Sequence, residues 1–211
     1  IRGSYDKESG KSAIYMVSAY ATNAGVVLAQ KKVNSKSNEI TAIPELIDLL
    51  SLNGASVTID AMGCQKIIAK KIIESGGQYL LAVKENQSTL LDDIEYSFRD
   101  LTIDDRSKTL EKSHGRIEER KCEIIKDIKL IEQAEEWEEI NTLVKITTKR
   151  TEIIKNHTCT ETRYYISSHN RTAEHLNQIA RGHWGIENNL HWQLDVTYNE
   201  DHSRIRIGNG A

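Results

Sequence analysis

The stretch ARGHWGIENNLHWQLDVTYNED, from Ala180 to Asp201, gathers side chains able to do chemistry. His183, Glu187 and His191 recur at i, i+4 and i+8, a spacing that lines them along one helical face. Two imidazoles and a carboxylate are zinc ligands. Two helical turns nevertheless separate the outer pair by about 12 Å, too far for one tetrahedral ion with bonds of about 2 Å to use all three. Glu187 and Asp195 could instead be solvated helix carboxylates, or ligands of a hard cation such as Mg²⁺, which prefers carboxylate oxygens. A metal site of that kind draws acids from separate elements. Asp60 is such an acid, because it closes the apolar run SVTI, and ligand sites in open α/β sheets lie at the carboxyl ends of strands. The plain alternative for Asp60, in DAMG, is a turn or helix-capping residue. Convergence of Asp60 and Glu187 with at least one further carboxylate would suit a two-cation site for phosphoryl transfer.

The elements that would position these acids follow from periodicity. SAIYMVSAYAT and AGVVLAQKKV are strand-forming runs separated by Asn23, Ala24 and Gly25, which predicts a hairpin. EITAIPELIDLLSL repeats apolar residues at Ile43, Leu46, Ile47 and Leu50, an amphipathic helix with Pro44 expected in its first turn. A short strand ending at Asp60, a helix closed by Gly76 and Gly77, and the continuous apolar strand QYLLAV come next. STLLDDIEYSF predicts a third helix capped by Ser88. Strand and helix alternating after a hairpin indicate an α/β sheet with helices on its faces. Beyond Asp100 the pattern changes to antiparallel strands, with a short helix expected near LIEQAEEWEEI. A long helix starts near Thr172, and its stripe of Leu176, Ile179, Ile186, Leu190 and Leu194 lies beside Trp184, Glu187, Asn188, His191 and Asp195.

Composition bounds the possibilities. Among 211 residues, 38% are hydrophobic and 28% charged, which supports a folded core rather than disorder. No apolar run approaches the roughly 18 residues of a membrane span, so no membrane partner is expected. Cys64, Cys122 and Cys159 are odd in number and widely spaced, which fits reduced thiols in a cytoplasmic protein. The net charge of −3 excludes a simple cationic nucleic-acid binder but leaves room for local basic stripes.

TIDAMGCQ, AVKENQ, HGRIEER, YYISS and HWGIENNLHWQLDV, in this order, resemble the DDE transposases of the H-repeat-associated insertion-sequence family, as does KSNEITAIPELI near the front. The resemblance spans nearly the whole chain. It implies an RNase H-like mixed sheet flanked by helices, with a β-rich insertion before the last catalytic helix. Residues 1–100 would form the first part of the core, 101–168 the insertion and 169–211 the C-terminal catalytic helix region. The implied site is a DDE triad binding Mg²⁺ or Mn²⁺, with Asp60 as the second acid and Glu187 as the third. The implied partner is double-stranded DNA, both element ends and target, met as a possible homodimer in the bacterial cytoplasm and at the nucleoid.

Within that frame, Lys84, Asn86 and Gln87 follow a buried strand and could contact a phosphate, or form a plain polar loop. His114, Arg116 and Arg120 could contact the DNA backbone from the insertion, although Glu118 and Arg120 could equally be a same-face strand pair. Arg181 and Trp184 could grip DNA by charge and stacking. Asn188, His191 and Asp195 would support the catalytic helix. The family's first Asp belongs to a DGK motif shortly before RGS, whereas this chain opens at IRGS. The expectation is therefore a sheet lacking its first central strand and a chain that does not cut DNA by itself. An inactive DNA-binding remnant and, more remotely, a zinc hydrolase using His183, Glu187 and His191 are the competing functions.

Overall fold

The computed structural model describes residues 15–33, 39–113, 115–154, 157–186 and 196–197. The chain divides into two compact units, residues 52–181 and residues 1–51 together with 182–211.

In the second of these units, β1 (Tyr15–Ala21) and β2 (Val26–Val33) form the expected antiparallel hairpin. Its turn closes on Gly25, whose φ of 69° is left-handed and whose N–H donates to the Ala21 carbonyl at 2.8 Å. Helix α1 (Glu39–Ile47) buries Ala42, Ile43, Leu46 and Ile47. Pro44 is not in its first turn, as the sequence suggested, but is the sixth residue. There it deprives the Ile40 carbonyl of a helical partner. The four buried apolar side chains hold the helix nonetheless, and it ends three residues later. Lys31 of β2 pairs with Glu45 of α1 at 2.7 Å.

The larger unit is built on one mixed sheet of six strands. β3 (Ser56–Ile59) leads through α2 (Lys66–Glu74) to β4 (Gln78–Val83), which lies parallel to it. After α3 (Ser88–Asp100) come four long antiparallel strands, β5 (Asp105–Ser113), β6 (Arg116–Ile125), β7 (Thr142–Glu152) and β8 (His157–Ser167). The order across the sheet is β3-β4-β8-β7-β6-β5. The antiparallel strands thus continue the parallel pair through β4 and β8, with Leu80 opposite Ser167 and Val83 opposite Tyr164.

Helices cover both faces of this sheet. On one, Ala173, Leu176 and Ala180 of α4 (Ala173–Ile186) pack on Leu80, Cys122, Ile124, Val144, Ile146 and Tyr165. Over the other, Phe98 of α3 places its ring 6.1 Å from that of Tyr164. Tyr79, Leu80, Leu81 and Val83 are all buried, as a strand covered on both faces requires.

Two local expectations need correction. Ser88 does not cap α3 but is its first helical residue, with φ −59° and ψ −46°, and Gln87 at the cap position makes no side-chain capping bond. Near LIEQAEEWEEI there is a single 3₁₀ turn, Ala134–Glu136, in place of a helix. Glu135 would stand one helical turn from both Glu138 and Glu139, and like charges at those spacings oppose a helix. Trp137 and Ile140 anchor the segment by burial. The start of α4 is as expected: Thr172 Oγ1 accepts from the His175 N–H at 3.3 Å. A second cap was not foreseen, the Asp105 carboxylate of β5 accepting from the Ala173 N–H at 2.8 Å.

Candidate active site

Asp60 follows Ile59, the residue of β3 that pairs with Leu81, and therefore stands at the carboxyl end of the parallel pair. It caps a 3₁₀ turn, Ala61–Gly63, and its Oδ1 accepts from the Gly63 N–H at 3.4 Å. The capping reading and the metal-ligand reading of Asp60 are thus compatible. One oxygen makes a long bond to the turn, and Oδ2 takes no hydrogen bond from the described residues. The side chain is exposed. An exposed, anionic oxygen at a strand end is the donor a hard divalent cation takes.

The turn is pinned from the neighbouring strand. Asn86 donates from Nδ2 to the Ala61 carbonyl at 2.7 Å, and Gln87 from Nε2 to the Cys64 carbonyl at 2.9 Å. Both follow β4, whose carboxyl end lies beside that of β3 because the two strands are parallel. These amides brace the backbone on either side of Met62 and Gly63. Lys84 is exposed and precedes them. Cys64 is wholly buried, and burial pushes its thiol up to about 12. Cys122, equally buried, is raised to about 12 by burial, with Asp105 and Glu123 adding to the effect. All three cysteines are free thiols.

The basic residues singled out from the sequence lie elsewhere. Arg120 is held by Glu118 at 2.9 Å, which is the same-face pair that competed with a DNA role, and Arg150 reaches the same carboxylate at 3.2 Å. Arg181 of α4 pairs with Glu111 of β5. Arg116 is exposed at the start of β6. Trp184 is exposed at the end of α4, with the His183 ring edge-on at 5.7 Å between centroids. His114, Glu187, Asn188, His191 and Asp195 lie outside the described residues, so the approach of Glu187 to Asp60 does too.

A mixed sheet covered by helices, with an acid at the carboxyl end of a parallel strand, is the arrangement of an RNase H-like nuclease or transferase core. The chain belongs to the transposase DDE-domain family, whose model matches residues 2–211. Among curated proteins it is 44% identical to the "H repeat-associated putative transposase YhhI" of Escherichia coli K12 over the whole chain and 58% of that protein. It is 46% identical to the "Putative transposase YncI" of Escherichia coli O157:H7, again over the whole chain and 56% of the relative. The chain thus spans less than two thirds of the length of the curated relatives it matches. DDE transposases as a family use divalent metal ions. Among the described residues no helix is long and apolar enough to cross a membrane.

Proposed function

We propose that the chain is the catalytic part of a transposase that cuts and joins double-stranded DNA, both the ends of its element and the target, on the bacterial chromosome. Asp60 and Glu187 are the proposed acids, holding Mg²⁺ or Mn²⁺. Residues 101–168 form, in this reading, an insertion within a core made by 1–100 and 169–211. The observation that carries the proposal is the Asp60 turn, where a solvent-facing carboxylate follows a parallel strand and two amides from the turn after the next strand fix its backbone.

Asp60 fits a hard cation by donor type and by its open Oδ2. When bound, such an ion supplies Lewis acidity at the oxygens of the reacting phosphate. The chain's own part is placement. Ile59 and its partner Leu81 fix the depth of Asp60 in the ladder, and Asn86 and Gln87 fix the turn that follows. Such rigidity matters, because a misplacement of about 1 Å at reacting groups can cost on the order of a hundredfold in rate.

The test is cleavage of DNA carrying the element's own ends by the full-length gene product, with Mg²⁺ or Mn²⁺. Asp60→Asn and Glu187→Gln should each lower the rate at least a hundredfold while leaving duplex affinity within a few-fold of wild type. Full activity in either variant means that the acid has been wrongly chosen. Binding without cleavage by the unmutated protein supports the DNA-binding remnant instead.

A further inference from the structure

The four long strands sort their charges by face. In the ladder, Glu118 stands opposite Glu111 and Arg150, Arg116 opposite Glu152, and Arg120 opposite Thr148. Thr148 in turn faces Glu161, and Ile146 faces Arg163. On this face, the one α4 covers, four arginines therefore meet four glutamates. With Asp105 of β5 as a fifth acid, this face has no excess of cations, and the side chains of Arg120 and Glu118 are only 16% and 23% exposed.

The opposite face carries the alternate residues of the same strands. Its rows bring together Arg106, Lys108, Lys112, Lys121, Lys145 and Lys149. Only Glu119 and Glu123 oppose them, and both are taken: Lys108 pairs with Glu119 at 2.9 Å, while Glu123 is shared by Lys121 and Arg106. Lys112 and Lys149 have no ion-pair partner among the described residues. Thr147 and Thr151 of β7 stand opposite Thr162 and Thr158 of β8 on this face, and Thr160 opposite Lys149. Leu110 is an exposed apolar residue between Lys108 and Lys112, and at the α3 end Lys145 lies over the Phe98 ring at 5.7 Å. In a protein of net charge −3, this is a segregated cationic surface.

Its position matters as much as its charge. β8 runs antiparallel to β4 and continues past Val83 from Tyr164 to His157. The lysine and threonine rows therefore project beyond the same end of the sheet that carries Asp60, by about 20 Å at roughly 3.4 Å per residue.

We infer that this lysine–threonine face of β5–β8, and not the arginine face, is the surface on which the phosphodiester backbone of duplex DNA lies. The inference rests on the DNA reading given above. The complementarity is chemical: ammonium groups neutralise phosphates and release counterions, and hydroxyls donate to phosphate oxygens. Arg120, Arg150 and Arg163, each paired with a glutamate, offer neither free charge nor free donors to the same extent.

The experiment titrates a labelled duplex with the 211-residue chain at several salt concentrations. The combined variant Lys108→Gln, Lys112→Gln, Lys149→Gln is compared with Arg150→Gln, a paired and exposed arginine on the other face. All four side chains are on exposed residues, and circular dichroism checks that the fold is kept. The triple variant should lose at least tenfold in affinity, and its log affinity against log salt should flatten by about two units, one for each of the unpaired Lys112 and Lys149. Arg150→Gln should change neither. A triple variant with unchanged affinity and slope overturns the assignment of the face while wild-type binding upholds the DNA reading. Salt-independent binding, or none, by the wild-type chain sinks both. An RNA duplex of the same length bound more tightly than DNA overturns the choice of partner.

Discussion

Asn86 and Gln87 each direct an amide donor at a carbonyl of the Asp60 turn, a structural task that competes with contacting DNA. The two roles separate kinetically. Asn86→Leu and Gln87→Met keep side-chain size and remove the donors. In the full-length protein each should lower kcat for strand cleavage about tenfold or more, since small misplacements of reacting groups are costly, with duplex Kd and its salt dependence unchanged. A raised Kd with kcat preserved would put these amides on the phosphate after all. The polar loop after a buried strand was legible in AVKENQ. Which way its amides point was not, because the carbonyls they meet lie 25 and 23 residues earlier. The parallel pairing of β3 with β4 is the signal that could have found them, as it sets the two carboxyl ends side by side. The same limit applied to Arg120. Its charge is plain in the sequence, whereas its use by Glu118 is a property of the folded strand.

At the scale of elements, α4 is held by apolar contact and by two caps. Leu176, wholly buried against the sheet, carries the centre of that contact. Leu176→Ala should destabilise the chain by about 2–5 kcal/mol, read as a shift of the urea midpoint at constant slope. A loss below about 1 kcal/mol would mean that the helix is not docked as described, since cavities of this kind cost more. The hairpin, α2 and the antiparallel strands were legible from their patterns and turn residues, and β4 from its continuous apolar run, QYLLAV. The failures were local. Pro44 was expected where its missing N–H is harmless, yet burial of Ile43, Leu46 and Ile47 fixed the helix register around it. The acidic stretch around Trp137 read as a helix by its spacing, but repulsion between carboxylates opposes that periodicity. Asp105 as a cap for α4 was invisible, the partners being 68 residues apart.

For the molecule as a whole, acid should loosen the fold through His169. This side chain is 6% exposed, and its Nε2 has no hydrogen-bond partner among the described residues. Burial lowers its pKa from the ordinary value near 6.5 to about 4, with His175 and Arg171 adding to the effect. The folded chain thus holds a neutral ring where the unfolded chain, below about pH 6.5, holds a protonated one. Stability from this group is complete above the unfolded value and falls as pH drops towards the folded one, by on the order of 3 kcal/mol across that window. Urea midpoints of wild type and His169→Asn between pH 4 and 7 isolate the effect, because the carboxylates titrate in both. The wild type should lose stability relative to the variant as pH falls. Parallel curves would show that the ring is solvated.

The ladder from β3 to β5 is continuous, and its strands cannot lie flat. Neighbouring strands rotate by roughly 20–25°, so from β8 to β5 the surface turns by about 60–75°. A short duplex behaves as a straight rod, its persistence length being about 150 base pairs. A straight rod on a saddle touches along one diagonal and lifts away from the corners on either side. The handedness of the coiling, rather than the number of lysines, then decides which phosphates are met. Some of the cations on that face would act at a distance, through solvent, guiding the approach of a polyanion without ever touching it.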